Sequence, residues 1–110
     1  MKKFIAIYHA APEAMAQMAE ATPEQKAEGM KYWLAWKEKI GNALVDLGAP
    51  LVGGVAINPS GDKVNSSKQV SGYSIVQADD TEAAHALFDN HPHLSWHPTA
   101  SIEIHECVEM

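Results

Sequence analysis

The segment from Lys3 to His9 limits the fold most strongly, because Phe4, Ile5, Ile7 and Tyr8 place apolar side chains on both sides of a pleated strand. Successive side chains of a strand point to opposite faces, so such a strand belongs inside a sheet that is covered on both. A chain of 110 residues is one domain with one modest core. Self-association is then the expected second cover, since small domains gain most from burying further apolar area.

Beyond the first strand, Ala10 to Ala21 is alanine- and methionine-rich, with Met15 and Met18 on one helical face. One or two helical turns are expected there, their methionines either filling a gap or closing over a ligand. Thr22-Pro23-Glu24-Gln25 is a helix start: threonine caps, proline occupies the first helical position, and Gln25 closes the capping box. Gly29, Trp33, Trp36, Ile40, Ala43, Leu44 and Leu47 then recur at helical spacing, which predicts a helix running to a cap at Gly48. Leu51 to Ile57 reads as the second strand, loosened at Gly53-Gly54, and Asn58 to Gln69 as a long polar hairpin connection. Val70 to Ala78 is the third strand. Asp79 is expected to cap a short helix with Glu82 as capping-box partner, its buried stripe being Ala83, Ala84, Leu87 and Phe88, with His85 in solvent. Asn90 to Pro98 is a histidine-rich loop and Ala100 to Val108 the last strand, with Ile102 and Ile104 facing the helices and Glu103 and His105 facing away.

Strand, helix, strand, strand, helix, strand is the order of an α+β, ferredoxin-like βαββαβ unit on one antiparallel sheet. Two helices cover one face of that sheet, and a partner's sheet is the expected cover of the other. Eight basic against fourteen acidic residues, a net charge of -6 and no cationic run argue against nucleic acid and anionic membranes as partners. No apolar run approaches the roughly 18 residues of a membrane helix, and Phe4 to Ile7 is too short for a secretory signal. With Cys107 as the single cysteine, a reducing, cytoplasmic setting is expected.

Several ordered blocks are more specific. Ala43-Leu44-Val45-Asp46-Leu47-Gly48-Ala49-Pro50-Leu51, Ser71-Gly72-Tyr73-Ser74-Ile75-Val76-Gln77-Ala78-Asp79, Glu82-Ala83, and His91-Pro92-His93 ahead of Ala100-Ser101-Ile102-Glu103-Ile104 resemble the YCII-related family, near its DGPF-type branch, over nearly the whole chain. The DGPF turn itself reads Asn58-Pro59-Ser60-Gly61-Asp62 here. The resemblance implies a dimeric α/β barrel, with two ferredoxin-like sheets facing each other and a pocket in each subunit between sheet and helices or loops. It also implies kinship with lactone isomerases, small monooxygenases and dehalogenating enzymes, and acid–base work by histidine and aspartate in some members.

Chemistry, if present, points to the imidazoles, because histidine changes charge near neutral pH and ligates metals. His91, His93 and His97, with His105 or Glu103, could count as an open metal site, but no ligand-spacing rule selects them, and no metal is expected. Acid–base catalysis by His97, His105 and Glu103 is the favoured reading, with Tyr8, His9, Trp36, Tyr73, His93 and Trp96 contacting a small organic substrate. Glu103 and His105 lie about 7 Å apart along the strand, so they bond only if their side chains lean together. The same His9, Glu103 and His105 could instead form a polar network across a dimer interface. Cys107 has no cationic neighbour to activate it, and Gly53-Gly54 opens no helix, so neither thiol catalysis nor a nucleotide cofactor is expected. The expected protein is a cytoplasmic homodimer: either a cofactor-free isomerase- or lyase-type enzyme, or a non-catalytic binding or accessory module.

Overall fold

The computed structural model describes residues 1–110. Its elements are β1 (Lys2–His9), α1 (Pro12–Ala19), α2 (Pro23–Ile40), β2 (Leu44–Asp46), β3 (Val55–Ile57), β4 (Lys63–Asn65), β5 (Val70–Ala78), α3 (Thr81–Ala86) and β6 (Ser101–Cys107). Four strands form one sheet in the order β2-β5-β1-β6, with every pairing antiparallel. Leaving aside the separate β3–β4 ribbon, this is the ferredoxin-like α+β arrangement, and β1 lies inside it as its two-faced pattern requires.

Parity along the strands separates the two faces. Phe4, Ala6 and Tyr8 of β1 and Ser74, Val76 and Ala78 of β5 are buried beneath the helices, joined by Trp36, Ala84 and Phe88. Ile102 and Ile104 pack against this core. Ile5, Ile7, Tyr73 and Ile75 point the other way and are half-exposed on a sheet face that no element of the chain covers.

The capping box at the start of α2 forms in full: Gln25 N–H donates to Thr22 Oγ1 and Thr22 N–H to Gln25 Oε1. The helix ends earlier than its apolar spacing predicts. Gly41, at φ +53°, caps it directly after Ile40, in a backbone conformation that side chains with a β-carbon rarely adopt. Leu44 is thereby released to pair opposite Val76, so the second strand of the sheet is Leu44–Asp46 rather than Leu51–Ile57. Val55–Ile57 pairs instead with Lys63–Asn65 in the separate ribbon, turned through Asn58–Asp62. The cap of α3 is Asp80, whose carboxylate accepts from Ala83 N–H, and Ala83 itself is exposed.

One glycine fixes how β2 meets β5. Gly48 has φ +80°, and a β-carbon there would overlap the Tyr73 carbonyl oxygen. No helix is long and apolar enough to cross a membrane.

Candidate functional site

The histidine loop folds back over the helix-side core rather than into solvent. His91, 1% exposed, caps a 3-10 turn (Pro92–Ser95) and sits in an aromatic box. Trp33 and Trp36 meet it in T-shaped pairs at centroid distances of 4.6 and 4.4 Å, Tyr8 stacks at 5.2 Å and Phe88 lies at 5.7 Å. Trp36 is held in place by its indole N–H, which donates to the Leu87 carbonyl at 2.8 Å.

The polar atoms in this box form a chain with only one consistent direction. His93 N–H donates to His91 Nδ1 at 3.0 Å, so a neutral His91 carries its hydrogen on Nε2. That Nε2–H donates to Tyr8 Oη at 3.3 Å, the Tyr8 hydroxyl donates to Ser74 Oγ at 2.8 Å, and Ser74 donates to the Leu47 carbonyl at 2.7 Å. Burial keeps every member neutral. Desolvation, helped by nearby His93, depresses His91 to about 3, and desolvation lifts the Tyr8 phenol to about 12 against the pull of its bond with Ser74.

His93, 4% exposed, is the member that reaches a cavity. Its Nε2–H donates to the His9 carbonyl at 2.9 Å, leaving Nδ1 as the basic nitrogen of the neutral ring. Desolvation lowers its proton affinity, while the carbonyls of His9 and Ser101 act in the opposite sense. Its ring packs on Tyr8 at 5.1 Å and on Trp96 at 5.5 Å. The cleft it helps to wall, of about 530 Å³, runs between α2 and the 3-10 turn; Trp33, Trp36, Trp96, Asn90 and, from α1, Met18 line it too.

The structure divides the other candidates between two places. Tyr8, Trp36, His93 and Trp96 belong to this box and cleft. Tyr73 has the opposite parity to Ser74 and so faces the uncovered side of the sheet, as do His9, Glu103 and His105. There the side chains of Glu103 and His105 do lean together, with His105 Nε2 to Glu103 Oε1 at 2.5 Å, and that bond above all holds Glu103 below the ordinary carboxylate range. His9 Nδ1–H donates to the Lys68 carbonyl at 2.7 Å, and its buried Nε2, lacking a hydrogen-bond partner, lies 3.6 Å from Glu103 Oε2. A shallow hollow of about 600 Å³ adjoins His9 and Glu103. His97 joins neither group: its Nδ1 bonds to the Thr99 hydroxyl at 2.8 Å, and Thr99 Oγ1 accepts from Ala11 N–H, which ties the loop to the start of α1. No three His, Cys, Asp or Glu side chains converge in a metal-binding arrangement.

Sequence reasoning weighs His91 only as a metal ligand and passes over Trp33 and Ser74 as site residues. A signal existed for Ser74, a hydroxyl in register with Val76 and Ala78 on a buried face, where it needs a partner. Nothing in the spacing of a loop histidine reveals that it turns inward.

No protein-family model matches the chain, and no curated protein does. Among solved structures it is similar to the 5-chloro-2-hydroxyhydroquinone dehydrochlorinase of Burkholderia phenoliruptrix AC1100 in complex with 2,5-dihydroxybenzoquinone, at TM-score 0.56 and 12% identity, covering 94% of this chain and 90% of that one. At this identity the likeness shows the fold alone, ferredoxin-like α+β.

Proposed function

We propose that the chain is a cytoplasmic, YCII-related homodimer that binds a small planar organic molecule in the aromatic cleft and moves a proton on it without a cofactor. The observation that carries this reading is His93, a neutral, desolvated imidazole with one nitrogen committed to a backbone carbonyl, in the wall of a cleft lined by aromatic rings. A base of this kind is available at neutral pH, whereas a charged histidine is not. In the proposed reaction, His93 Nδ1 takes a proton from a carbon or hydroxyl of the ligand, and the electron pair left behind moves into a conjugated carbonyl. Returning the proton at another carbon completes an isomerisation; expelling a leaving group with its electron pair completes a lyase-type elimination. His91 holds the turn that carries His93, and Tyr8 and Ser74 hold His91.

The dimer is supported by the uncovered face, where Ile5, Ile7, Tyr73 and Ile75 stand half-exposed. On this reading His9, Glu103 and His105 are the polar part of the interface. The hollow beside His9 and Glu103 favours a second reading, in which Glu103 and His105 are themselves catalytic.

Solvent exchange separates the two. With the neighbour's ligand, 2,5-dihydroxybenzoquinone, as first probe and other small enols after it, incubation in D2O followed by NMR should show ring C–H exchange faster than in buffer. His93→Gln should abolish the acceleration and Glu103→Gln should spare it. The reverse pattern moves the site to the open face, and no acceleration with any probe that binds leaves the binding-module reading.

A further inference from the structure

The cleft is electrostatically unlike the rest of the molecule. The chain as a whole carries a net charge of -6, yet no acidic side chain lines the cleft, and the one charged group there is Lys39. Lys39 lies in the last turn of α2, where a cation is favoured by the helix dipole. Its side chain is solvent-exposed at the edge of the cleft. Like Lys3, Lys26, Lys37, Lys63 and Lys68, Lys39 enters no ion pair within the chain, but it alone of the lysines lines this cleft. All three tryptophans of the chain stand around the same space. Their rings present flat apolar area at low entropic cost and exclude water, which strengthens any charge interaction at the rim. The volume, about 530 Å³, lies within the range of small-molecule sites.

We infer that the cleft selects a planar ring bearing a negative charge, on a carboxylate or on a ring oxygen, with the ring between the tryptophans and the charge at Lys39. This rests on the cleft being the ligand site. It adds that Lys39 determines specificity and that neutral rings of the same size are poor ligands. The anionic oxygen accepts from the ammonium, and the apolar face of the ring replaces water against Trp33 and Trp96. An acidic protein would otherwise repel such a ligand, so a lysine at an aromatic cleft that no carboxylate lines favours its binding there.

Benzoate, 2,4-dinitrophenolate and phenol test this by isothermal calorimetry at neutral pH, with tryptophan fluorescence as a second readout. One or both anions should bind at least about tenfold more tightly than phenol, and the tighter of the two shows whether carboxylate or ring oxygen is preferred. Lys39→Met should remove that margin while leaving phenol affinity and the circular dichroism spectrum unchanged, and Lys39→Arg should retain it. Equal affinities for phenol and both anions, or anion binding indifferent to Lys39→Met, overturn the charge assignment while leaving the aromatic cleft as a ligand site. No saturable signal with any of the three probes overturns both.

Discussion

Tyr8→Phe removes one oxygen from the centre of the molecule and strands the groups on either side of it. His91 Nε2–H loses its acceptor, and Ser74 Oγ loses the hydroxyl that donates to it at 2.8 Å. A hydrogen bond of this kind contributes about 1 kcal/mol net, and a buried donor left without a partner costs a further 1–3 kcal/mol or so, so the substitution should destabilise by about 2–4 kcal/mol. At roughly 4 °C per kcal/mol for a domain of this size, Tm should fall by about 8–16 °C. His91→Phe offers the complementary change, because a phenyl ring suits a box made by Trp33, Trp36 and Phe88. In the double variant Tyr8→Phe/His91→Phe no Nε2–H remains to be stranded, and its cost should fall short of the sum of the single variants by at least about 1 kcal/mol. The assay is urea unfolding followed by tryptophan fluorescence at one fixed protein concentration, so that dimerisation does not enter the comparison. A Tyr8→Phe cost under about 0.5 kcal/mol, or additivity within that margin, would refute the directed chain.

Acid should weaken the fold through the same histidine. His91 titrates at about 3 in the fold against 6.5 ordinarily, so between these values the unfolded chain binds the extra proton; stability is complete above 6.5 and declines as pH falls below it. The slope approaches about 1.4 kcal/mol per pH unit, and it should be shallower in His91→Phe; equal slopes would show that His91 is not held neutral. Gly48→Ala meets both a positive φ and the Tyr73 carbonyl and should cost about 2–5 kcal/mol. Gly61→Ala, at φ +90° with open space around it, should cost only about 1–2 kcal/mol, and similar denaturation midpoints for the two would remove the close approach as the cause. Light scattering should give about twice the chain mass of 11.9 kDa, and Ile7→Lys on the uncovered face should halve it; a monomeric wild type contradicts the proposed pairing.

The sheet was legible because parity is a strict rule. Apolar residues on both sides of Lys3 to His9 place that strand inside the sheet, alternation in Ser101 to Glu106 sends Ile102 and Ile104 toward the helices and Glu103 and His105 away, and the structure keeps both readings. The end of α2 was not legible, because Ala43, Leu44 and Leu47 continue the helical spacing while Gly41 carries the break in its backbone angle. Without that break, β2 had to be sought further along, among Leu51 to Ile57, where Val55, Ala56 and Ile57 belong to an exposed ribbon instead. The site was partly legible: Tyr8, Trp36, His93 and Trp96 converge as residue type suggests, while Tyr73 is carried to the other face by a single step of register. His91 was hidden because a loop has no period from which its inward direction can be read.

The one-way order of hydrogens from His93 to Leu47 also bears on how this protein can be altered. Reversing or interrupting any link changes what its neighbours must do, so Tyr8, Ser74 and His91 form a unit that tolerates joint replacement better than single replacement. Trp96 and Lys39 border the cleft and stand outside that unit. A library that varies these two and freezes the three would explore new ligands on an intact scaffold. One that randomises all five would spend most of its members on chains that no longer fold.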